Sequence, residues 1–569
     1  MTTFDPVALA VIRGRLEQIV DEMDATLFRA AFSPVIAEAR DGSHGIYDAV
    51  SGATVAMGKT GLPVFIGAMS FATKAVIDRA GEDGGFQPGD AWLLNDPYVG
   101  ATHLNDIKII KPIFRDGRVF CHLASAGHWL DVGGNVAGNY NPRATDIMQE
   151  GVRIPPVKLF DRGEMRQDVV DILLANTRMP RYSYGDLNAQ LGALELGETR
   201  LHELLDDFGD DVIADAMAEI YSRAGAQMRD LIREIPDGAY QFEDNLDNDG
   251  ITDAPLRIAL ALTVKDDRLI LDFTGSAPCC EGPMNVTHAT TVAVCFVALK
   301  HIFPEVPANA GCLAPIEFII PDNTILSAPA PKPVSGYTEN IMRTIDVIFG
   351  AMAQCAPGRV NGAAFSTINA LLFSGRGDAD ERFIMFTFFG GGLGGNPEGD
   401  GLSHGNAPIG MANIPPAEIQ EAAYPVRITH WGLRPDSGGP GRQRGGLGCI
   451  YEFELTGDEA DVVVFGERAV FPAFGVLGGS YGAPNRIIYD QSDGKHSPTL
   501  GAKLSGVKLR RGQRVRVESP GGGGYGSPAN RELADIERDL RQGMITEAGA
   551  ERDYGVSVAV NGKVTRMAT

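Results

Sequence analysis

NDPYVGATHLNDIKIIKPIFRDGRVFCHLASAGHWLD, residues 95–131, sets the first constraint on how this chain folds. Ile107 to Phe114 has strand character, Asp116-Gly117 supplies a tight turn, and Val119 to Ala124 resumes the apolar pattern, so the stretch reads as a β-hairpin. In a hairpin the start of the first strand lies beside the end of the second. His103 and Asp106, three apart in the loop entering the first strand, are therefore expected beside His122, His128 and Asp131 toward the exit of the second. Three of the chain's ten histidines fall in this one unit. Imidazole nitrogens and carboxylate oxygens form a borderline donor set suited to Zn²⁺, Mn²⁺ or Fe²⁺. With an open position, such a site polarises a carbonyl or activates water. Taken singly, each residue reads equally well as a structural one. Asp106 and Asp131 are good turn residues, and His122, inside the predicted strand, fits a satisfied core histidine. It is the cluster that favours a cation.

Upstream, Arg40-Asp41-Gly42-Ser43-His44 offers another carboxylate and imidazole where a helix gives way to a hairpin. Asp5-Pro6 is an N-cap followed by Pro at the first helical position. Ile12, Leu16, Ile19, Val20, Met23 and Leu27 then repeat at helical spacing, and the helix ends before Pro34. Residues 45–57 predict a hairpin, Ile66–Ala80 a helix and Ala91–Leu94 a buried strand. The pattern from Asp168 to Glu234 is helical, either a packed helical hairpin or an interface arm. Strands return over 239–275, helices over Thr290–His301 and Asn340–Cys355. After Pro357 the chain is glycine- and strand-rich to about Val517, with a short helix at Arg531–Gln542. The fold class is α+β: a large multi-layer mixed fold with an N-terminal helix, hairpins carrying the metal site, a central helical segment and a Gly-rich, β-rich C-terminal half. The expected regions are 1–165 (N-terminal, metal site), 166–236 (helical), 237–360 (central α+β) and 361–569 (Gly-rich).

A length of 569 residues with 44% hydrophobic and 22% charged residues fits a globular protein with a large core. A net charge of −23 makes nucleic acid a poor partner. Seven dispersed cysteines without a CxxC argue against a disulfide framework. The adjacent Cys279-Cys280 pair reads as ordinary thiols. With no apolar run of about 18 residues and no leader-like N-terminus, neither membrane nor secretion is expected, and the location is cytoplasmic. The loops 390–395 and 521–526 have backbone amides able to hold a phosphate. Neither is followed by the Lys-Ser/Thr of a P-loop, so tight packing is the better reading and no ATP site of the chain's own is expected. Arg427, Arg434, Arg442 and Arg444 are candidate anion ligands, ranked slightly behind a solvated glycine-rich hairpin.

Several of these stretches together resemble the hydantoinase B/oxoprolinase family: Asp41-Gly42-Ser43, NDPYVGATHLNDI, GHWLDVGG, RPDSGGPGRQRGGLG, SPGGGGYGSP and EAGAERDYGV. They span essentially the whole chain. The resemblance implies the metal-binding subunit of a hetero-oligomer whose partner, a hydantoinase A-type subunit, binds ATP and phosphorylates the substrate's carbonyl oxygen. It implies Asp41, His103, Asp106 and His128 as ligands of a divalent metal (Zn, Mn or Fe). Asp131 is expected just outside as an orienting partner, and Asp131 and His122 are the remaining candidate catalytic residues. The implied substrate is a hydantoin, lactam or related cyclic amide. The alternative is a subunit of an ATP-dependent ketone carboxylase of the acetone or acetophenone type. The segment Glu467–Pro472 lacks the basic residues the family often carries there.

Overall fold

The computed structural model describes residues 4–377, 380–410, 412–559 and 562–567. The first helix, α1 (Pro6–Ala30), is capped by the Asp5 carboxylate, which accepts from the amides of Val7 and Ala8, and its stripe Ile12, Leu16, Ile19, Val20, Met23 and Leu27 is buried. A single helical turn, α2 (Pro34–Ala37), leads into a seven-stranded antiparallel sheet. Its strands are β1 (Gly42–Asp48), β2 (Thr54–Met57), β3 (Ala91–Leu94), β4 (Asp106–Arg115), β5 (Arg118–His128), β6 (Val157–Asp161) and β7 (Glu164–Met165), in the order β2-β1-β5-β4-β3-β6-β7. The central hairpin β4–β5 runs four residues beyond the predicted Ala124, so Asp106 and His128 are a register pair. The pleat sorts the side chains. Ile107, Ile109 and Leu123 pack with α1, and Ile110, Ala124 and Ala126 pack with α3 (Pro63–Glu82).

The predicted helical segment consists of α4 (Gln167–Ala175), α5 (Pro180–Phe208) and α6 (Asp210–Ile232). Leu187, Leu194, Leu201 and Leu204 of α5 join the α1 side of the core, so this segment is packed and is not a free arm. On the opposite face α3 packs with α7 (His288–Ile302) and α8 (Tyr337–Met352). Beyond them lies a second sheet, β8 (Gly238–Leu246), β9 (Leu256–Lys265), β10 (Arg268–Asp272) and β11 (Ile316–Ile319). The N-terminal two-thirds is thus stacked as helices, sheet, helices, sheet.

Residues 370–518 form two further sheets. Their strands are β12 (Ala370–Arg376), β13 (Arg382–Thr387), β14 (Val426–Leu433), β15 (Cys449–Leu455), β16 (Glu459–Phe465), β17 (Arg486–Gln491), β18 (Gly494–His496), β19 (Lys503–Arg510) and β20 (Arg514–Glu518). The orders β13-β12-β16-β19 and β14-β15-β20-β17-β18 enclose a core that includes Phe373, Tyr451, Phe453, Val462 and Val515. A short helix, α9 (Ala417–Ala423), precedes β14. After α10 (Leu533–Arg541) and α11 (Glu547–Tyr554), a helix the sequence pattern did not disclose, come two short antiparallel strands, β21 (Val556–Val558) and β22 (Val564–Arg566).

Between these sheets the glycine loops form one body of backbone packed on backbone. The Gly395 amide donates to Gly523, Gly523 to Ala363, Gly446 to Leu393, Gly522 to Gly446, and Gly392 to Pro520. A Cβ on Gly523 would stand 1.8 Å from the Phe474 carbonyl oxygen, and one on Gly392 1.9 Å from that of Gly446. None of Gly390–Gly395 or Gly521–Gly524 has a left-handed φ. Glycine is required here for space, not for conformation. Because these amides are committed to carbonyls of neighbouring segments, they do not form the phosphate cradle that their composition allows. The four arginines do not converge either. Arg444 is buried against Asp539, Arg434 and Arg442 donate to the carbonyls of Pro484 and Pro397, and Arg427 is exposed near Glu454. Cys279 and Cys280 are free thiols.

Candidate metal centre

The β3–β4 loop is shaped by its polar side chains. Asp96 accepts from the Tyr98 amide and holds a one-turn helix over Pro97–Val99. Asn95 donates to the Leu104 carbonyl at 2.7 Å, and Asn105 donates to that of Trp129 at 2.8 Å, tying the loop to the end of β5. On the other side the His128 amide donates to the Asp41 carbonyl at 3.1 Å. Arg40 reaches Asp41 through a left-handed φ of 59°. For a non-glycine residue this is a local cost of about 1 kcal/mol, offset by the packing around it.

These restraints bring three side chains to one point. The distances are 3.0 Å for His103 Nε2 to Asp106 Oδ1, 3.2 Å for His103 Nε2 to His128 Nδ1, and 3.2 Å for His128 Nδ1 to Asp106 Oδ1. Metal bonds of about 2.0–2.1 Å place adjacent donors about 3.0 Å apart in an octahedron and about 3.4 Å apart in a tetrahedron. The observed triangle fits a cation of either geometry. Asp41 Oδ2 stands 3.9 Å from His128 Nδ1, at the open side. The Thr102 hydroxyl is hydrogen-bonded to Asp106 Oδ2 and leaves Oδ1 facing the imidazoles.

The electrostatics follow from burial and proximity. Burial pushes the Asp41 carboxyl up to about 6, with Asp106 adding to the rise and His128 opposing it. At Asp106, burial is outweighed by His103 and His128, which hold the carboxyl well below the usual carboxylate range. Burial lowers His103 against the pull of Asp106, whereas at His128 it is outweighed by Asp41 and Asp106 and the imidazole titrates high. The result is a fixed anionic oxygen between two imidazoles, in a site closed to bulk water.

Of the residues expected from sequence, His103, Asp106 and His128 are therefore together, and Asp41 stands beside His128. His122 is not. It lies six residues before His128 on β5, roughly 20 Å along the strand, with Nε2 3.2 Å from the Ala49 carbonyl and its ring against Phe86. Asp131 does not orient an imidazole either. Its carboxylate accepts from the Arg178 guanidinium at 2.8 Å and from the amides of Arg178, Gly133 and Gly138, so it shapes the loop after β5. His44 is turned toward α1, 2.7 Å from Asp24.

Sequence reasoning missed the aromatic wall. Tyr337 of α8 lies 4.8 Å from the His103 ring, Phe386 of β13 5.6 Å from that of His128, and Tyr140 6.1 Å from the latter. It also missed Lys108, fully buried on the Asp106 face of β4, whose ammonium donates to the Gly100 carbonyl at 2.8 Å. The strand period of two placed Lys108 beside Asp106 and was the available signal. No comparable signal pointed to the aromatic residues.

The sequence model for hydantoinase B/oxoprolinase matches residues 5–528. The β subunit of caprolactamase from Pseudomonas jessenii is 34% identical over 587 residues, covering 100% of this chain and 99% of that one. A crystal structure of ATP-dependent caprolactamase from the same organism superposes with a TM-score of 0.91 at 31% identity, covering 98% of both chains. Nucleotide-free acetone carboxylase superposes with a TM-score of 0.90 at 20% identity, over 99% of this chain and 81% of that one, a likeness of fold alone. Among the described residues no helix is long and apolar enough to cross a membrane.

Proposed function

The chain belongs to the hydantoinase B/oxoprolinase family, and from that premise we propose that it is the metal-binding catalytic subunit of an ATP-dependent amidohydrolase. Its substrate is a hydantoin, lactam or related cyclic amide. A hydantoinase A-type partner binds ATP and phosphorylates the substrate's carbonyl oxygen, and the activated compound is then opened at the His103–Asp106–His128 centre.

The observation that carries this reading is the convergence of those three donor groups, all buried, within 4.8 Å of one another. His103, Asp106 and His128 would hold the cation, with Asp41 as the fourth ligand or as the group beside the open position. A bound Zn²⁺, Mn²⁺ or Fe²⁺ would supply Lewis acidity toward a carbonyl or phosphoryl oxygen. The chain's own residues do the rest. Thr102 fixes the Asp106 carboxylate, and Tyr140, Tyr337 and Phe386 exclude bulk water from the two imidazoles. Asp41 stands 3.9 Å from His128 Nδ1 and also lines a neighbouring cavity, so it marks where substrate meets the centre. The committed amides of the glycine bundle agree with a nucleotide site on the partner.

Two measurements test this. The purified complex with ATP is expected to open a cyclic amide without bicarbonate; strict dependence on bicarbonate would instead identify a ketone carboxylase. His103→Ala is expected to lose both the divalent metal, by elemental analysis, and turnover, while the two subunits still assemble. Turnover surviving in that variant ends the metal-centred reading.

A further inference from the structure

The donor triangle is shut off from solvent. His103, Asp106 and His128 are 1%, 0% and 2% exposed. The cavity that adjoins them at Asp41 holds about 40 Å³, space for roughly three water molecules at about 10–15 Å³ each. A ring-sized substrate does not fit. For the triangle to act on such a molecule, one wall of this cavity must move.

Most of the walls are held in regular elements. Val64 and Phe65 belong to α3, Tyr337 and Thr338 to α8, and Phe386 to β13. One wall is different. Asn406, Ala407, Ile409 and Gly410 line the cavity from a strap without helix or strand. Its two roots are firm. Gly405 exchanges both backbone hydrogen bonds with Gly391, at 2.7 and 3.0 Å, and the Asn413 amide donates to the Ala39 carbonyl at 2.8 Å. Between the roots the strap bonds to itself. The Asn406 side chain donates to the Ala412 carbonyl, the Ala407 amide to Asn406 Oδ1, and the Gly410 amide to the Ala407 carbonyl. Among the described residues, 406–410 make one hydrogen bond to the rest of the molecule. In it His301, in the last turn of α7, donates from Nε2 to the Pro408 carbonyl at 2.8 Å. That oxygen can only accept, so Nε2 carries the proton. The bond is exposed to water, whereas Ala407 and Ile409 are buried on the cavity side.

We infer that residues 406–410 are the gate of the centre. The strap swings from its root at Gly405 when the His301–Pro408 bond breaks. It carries Ala407 and Ile409 with it, and opens a way from solvent past Asp41 to His103, Asp106 and His128. Bonds that stay within the strap let it move as a unit, and a single tie in contact with water is cheaply exchanged for one to solvent. The inference rests on the proposed function, in which the triangle meets a substrate, and adds how that substrate arrives.

The test is whether a thiol placed under the strap is reached in the folded complex. Val64→Cys and Ile368→Cys put reporters on two other walls of the cavity. Cys295 and Cys312, both 0% exposed, serve as internal references elsewhere in the core. Alkylation by iodoacetamide is followed site by site in the complete complex by peptide mass spectrometry. Each reporter is expected to react at least tenfold faster than the references. His301→Ala is expected to speed the reporters several-fold more, with the references unchanged and Tm within a few degrees of the parent. Reporters no faster than the references overturn the inference. So does a latch variant that leaves the reporter rates as they were, because the opening then lies elsewhere. Acceleration of reporters and references together also overturns it, since His301 then secures the whole fold and not the strap. Alkylation needs no turnover. A complex that opens no cyclic amide yet passes the thiol test loses the amidohydrolase reading and keeps the gate, and a failed thiol test with normal turnover does the reverse.

Discussion

The β4–β5 hairpin and the glycine bundle are both places where the backbone is held at close quarters, but they are held by different things. At the hairpin, register and a few polar side chains bring His103, Asp106 and His128 to one point, and the side chains are the product. In the bundle there are no side chains to speak of. Carbonyl oxygens of one segment occupy the space where the next segment's Cβ atoms would be, and the amides are consumed in holding the segments together. The first region therefore presents a donor cluster that stability need not depend on. The second carries stability, and the amides of Gly391, Gly392, Gly395 and Gly521 to Gly524 are spent on neighbouring carbonyls.

The largest expected effect comes from adding one carbon to the bundle. Gly523→Ala would place Cβ 1.8 Å from the Phe474 carbonyl oxygen, backbone that cannot turn aside. A destabilisation of more than about 4 kcal/mol is expected, seen as loss of soluble protein or of the cooperative melt. Gly399→Ala is the control, with nothing within 4 Å of its Cβ, and should melt as the parent does. Comparable melting of the two alanine variants would mean that the bundle is not close-packed.

At the hairpin the expectation is reversed. His103→Ala should reduce kcat by roughly 10³-fold or more, with metal content falling in parallel. Thermal unfolding of the metal-free proteins should differ by only a few degrees, since the ring is replaced beside a polar cluster and not within the sheet's apolar faces. A variant that lost stability as steeply as Gly523→Ala would erase the distinction between the two regions.

That distinction also governs what was legible in the sequence. A hairpin is a local object. The Asp116-Gly117 turn and the two flanking strands suffice to pair Asp106 with His128, and the same logic drew in Asp41 once the family likeness was added. His122 was misplaced because it is on the same face of the same strand as His128, and a strand's period says nothing about distance along it. Asp131 was misassigned because Arg178, 47 residues onward, takes its carboxylate. Tyr337 and Phe386 arrive from elements more than 200 residues away, and nothing local marks them. The glycine loops were read correctly as packing, but their partners are other glycine loops, so the bundle could not be assembled from any one of them. The helix α11 was hidden by its brevity, eight residues with three buried positions.

Between the two regions lies Glu339, on the first turn of α8, next to the cavity wall at Thr338 and bonded through Oε1 to the Ile368 amide at 3.1 Å; Oε2 has no partner. Burial pushes its carboxyl up to about 8; a Thr367 hydroxyl bond opposes the rise and Glu467 adds to it. A carboxyl raised above its unfolded value of about 4.3 stabilises the folded chain below that pH and ceases to do so as pH climbs through 8. Glu339→Gln imitates the neutral form. Its stability relative to the parent should increase between pH 5 and pH 9 by on the order of 2 kcal/mol, measured by urea unfolding at each pH. A constant difference would place the ionised carboxylate in the fold and move the charge boundary between the two regions.

The smallest effect should come from His122→Leu, and it is the sharpest check on where the hairpin's chemistry stops. The imidazole makes one bond, to the Ala49 carbonyl, and its Nδ1 is buried without a partner. Burial holds its pKa down to about 4, against the bond to Ala49 and the charge of Asp48, so the ring is neutral at pH 7. Leucine removes the bond and the unpaired nitrogen together, a net change within about 1 kcal/mol at that pH. As pH falls toward 5 the unfolded parent takes up a proton that its folded form refuses, so the parent loses stability that the variant keeps. The variant should then gain roughly 1–2 kcal/mol on it. Turnover should be unchanged throughout. A tenfold loss of kcat with the melt intact would extend the functional centre along the whole of β5, and the contrast between a chemical end and a structural end of that strand would be lost.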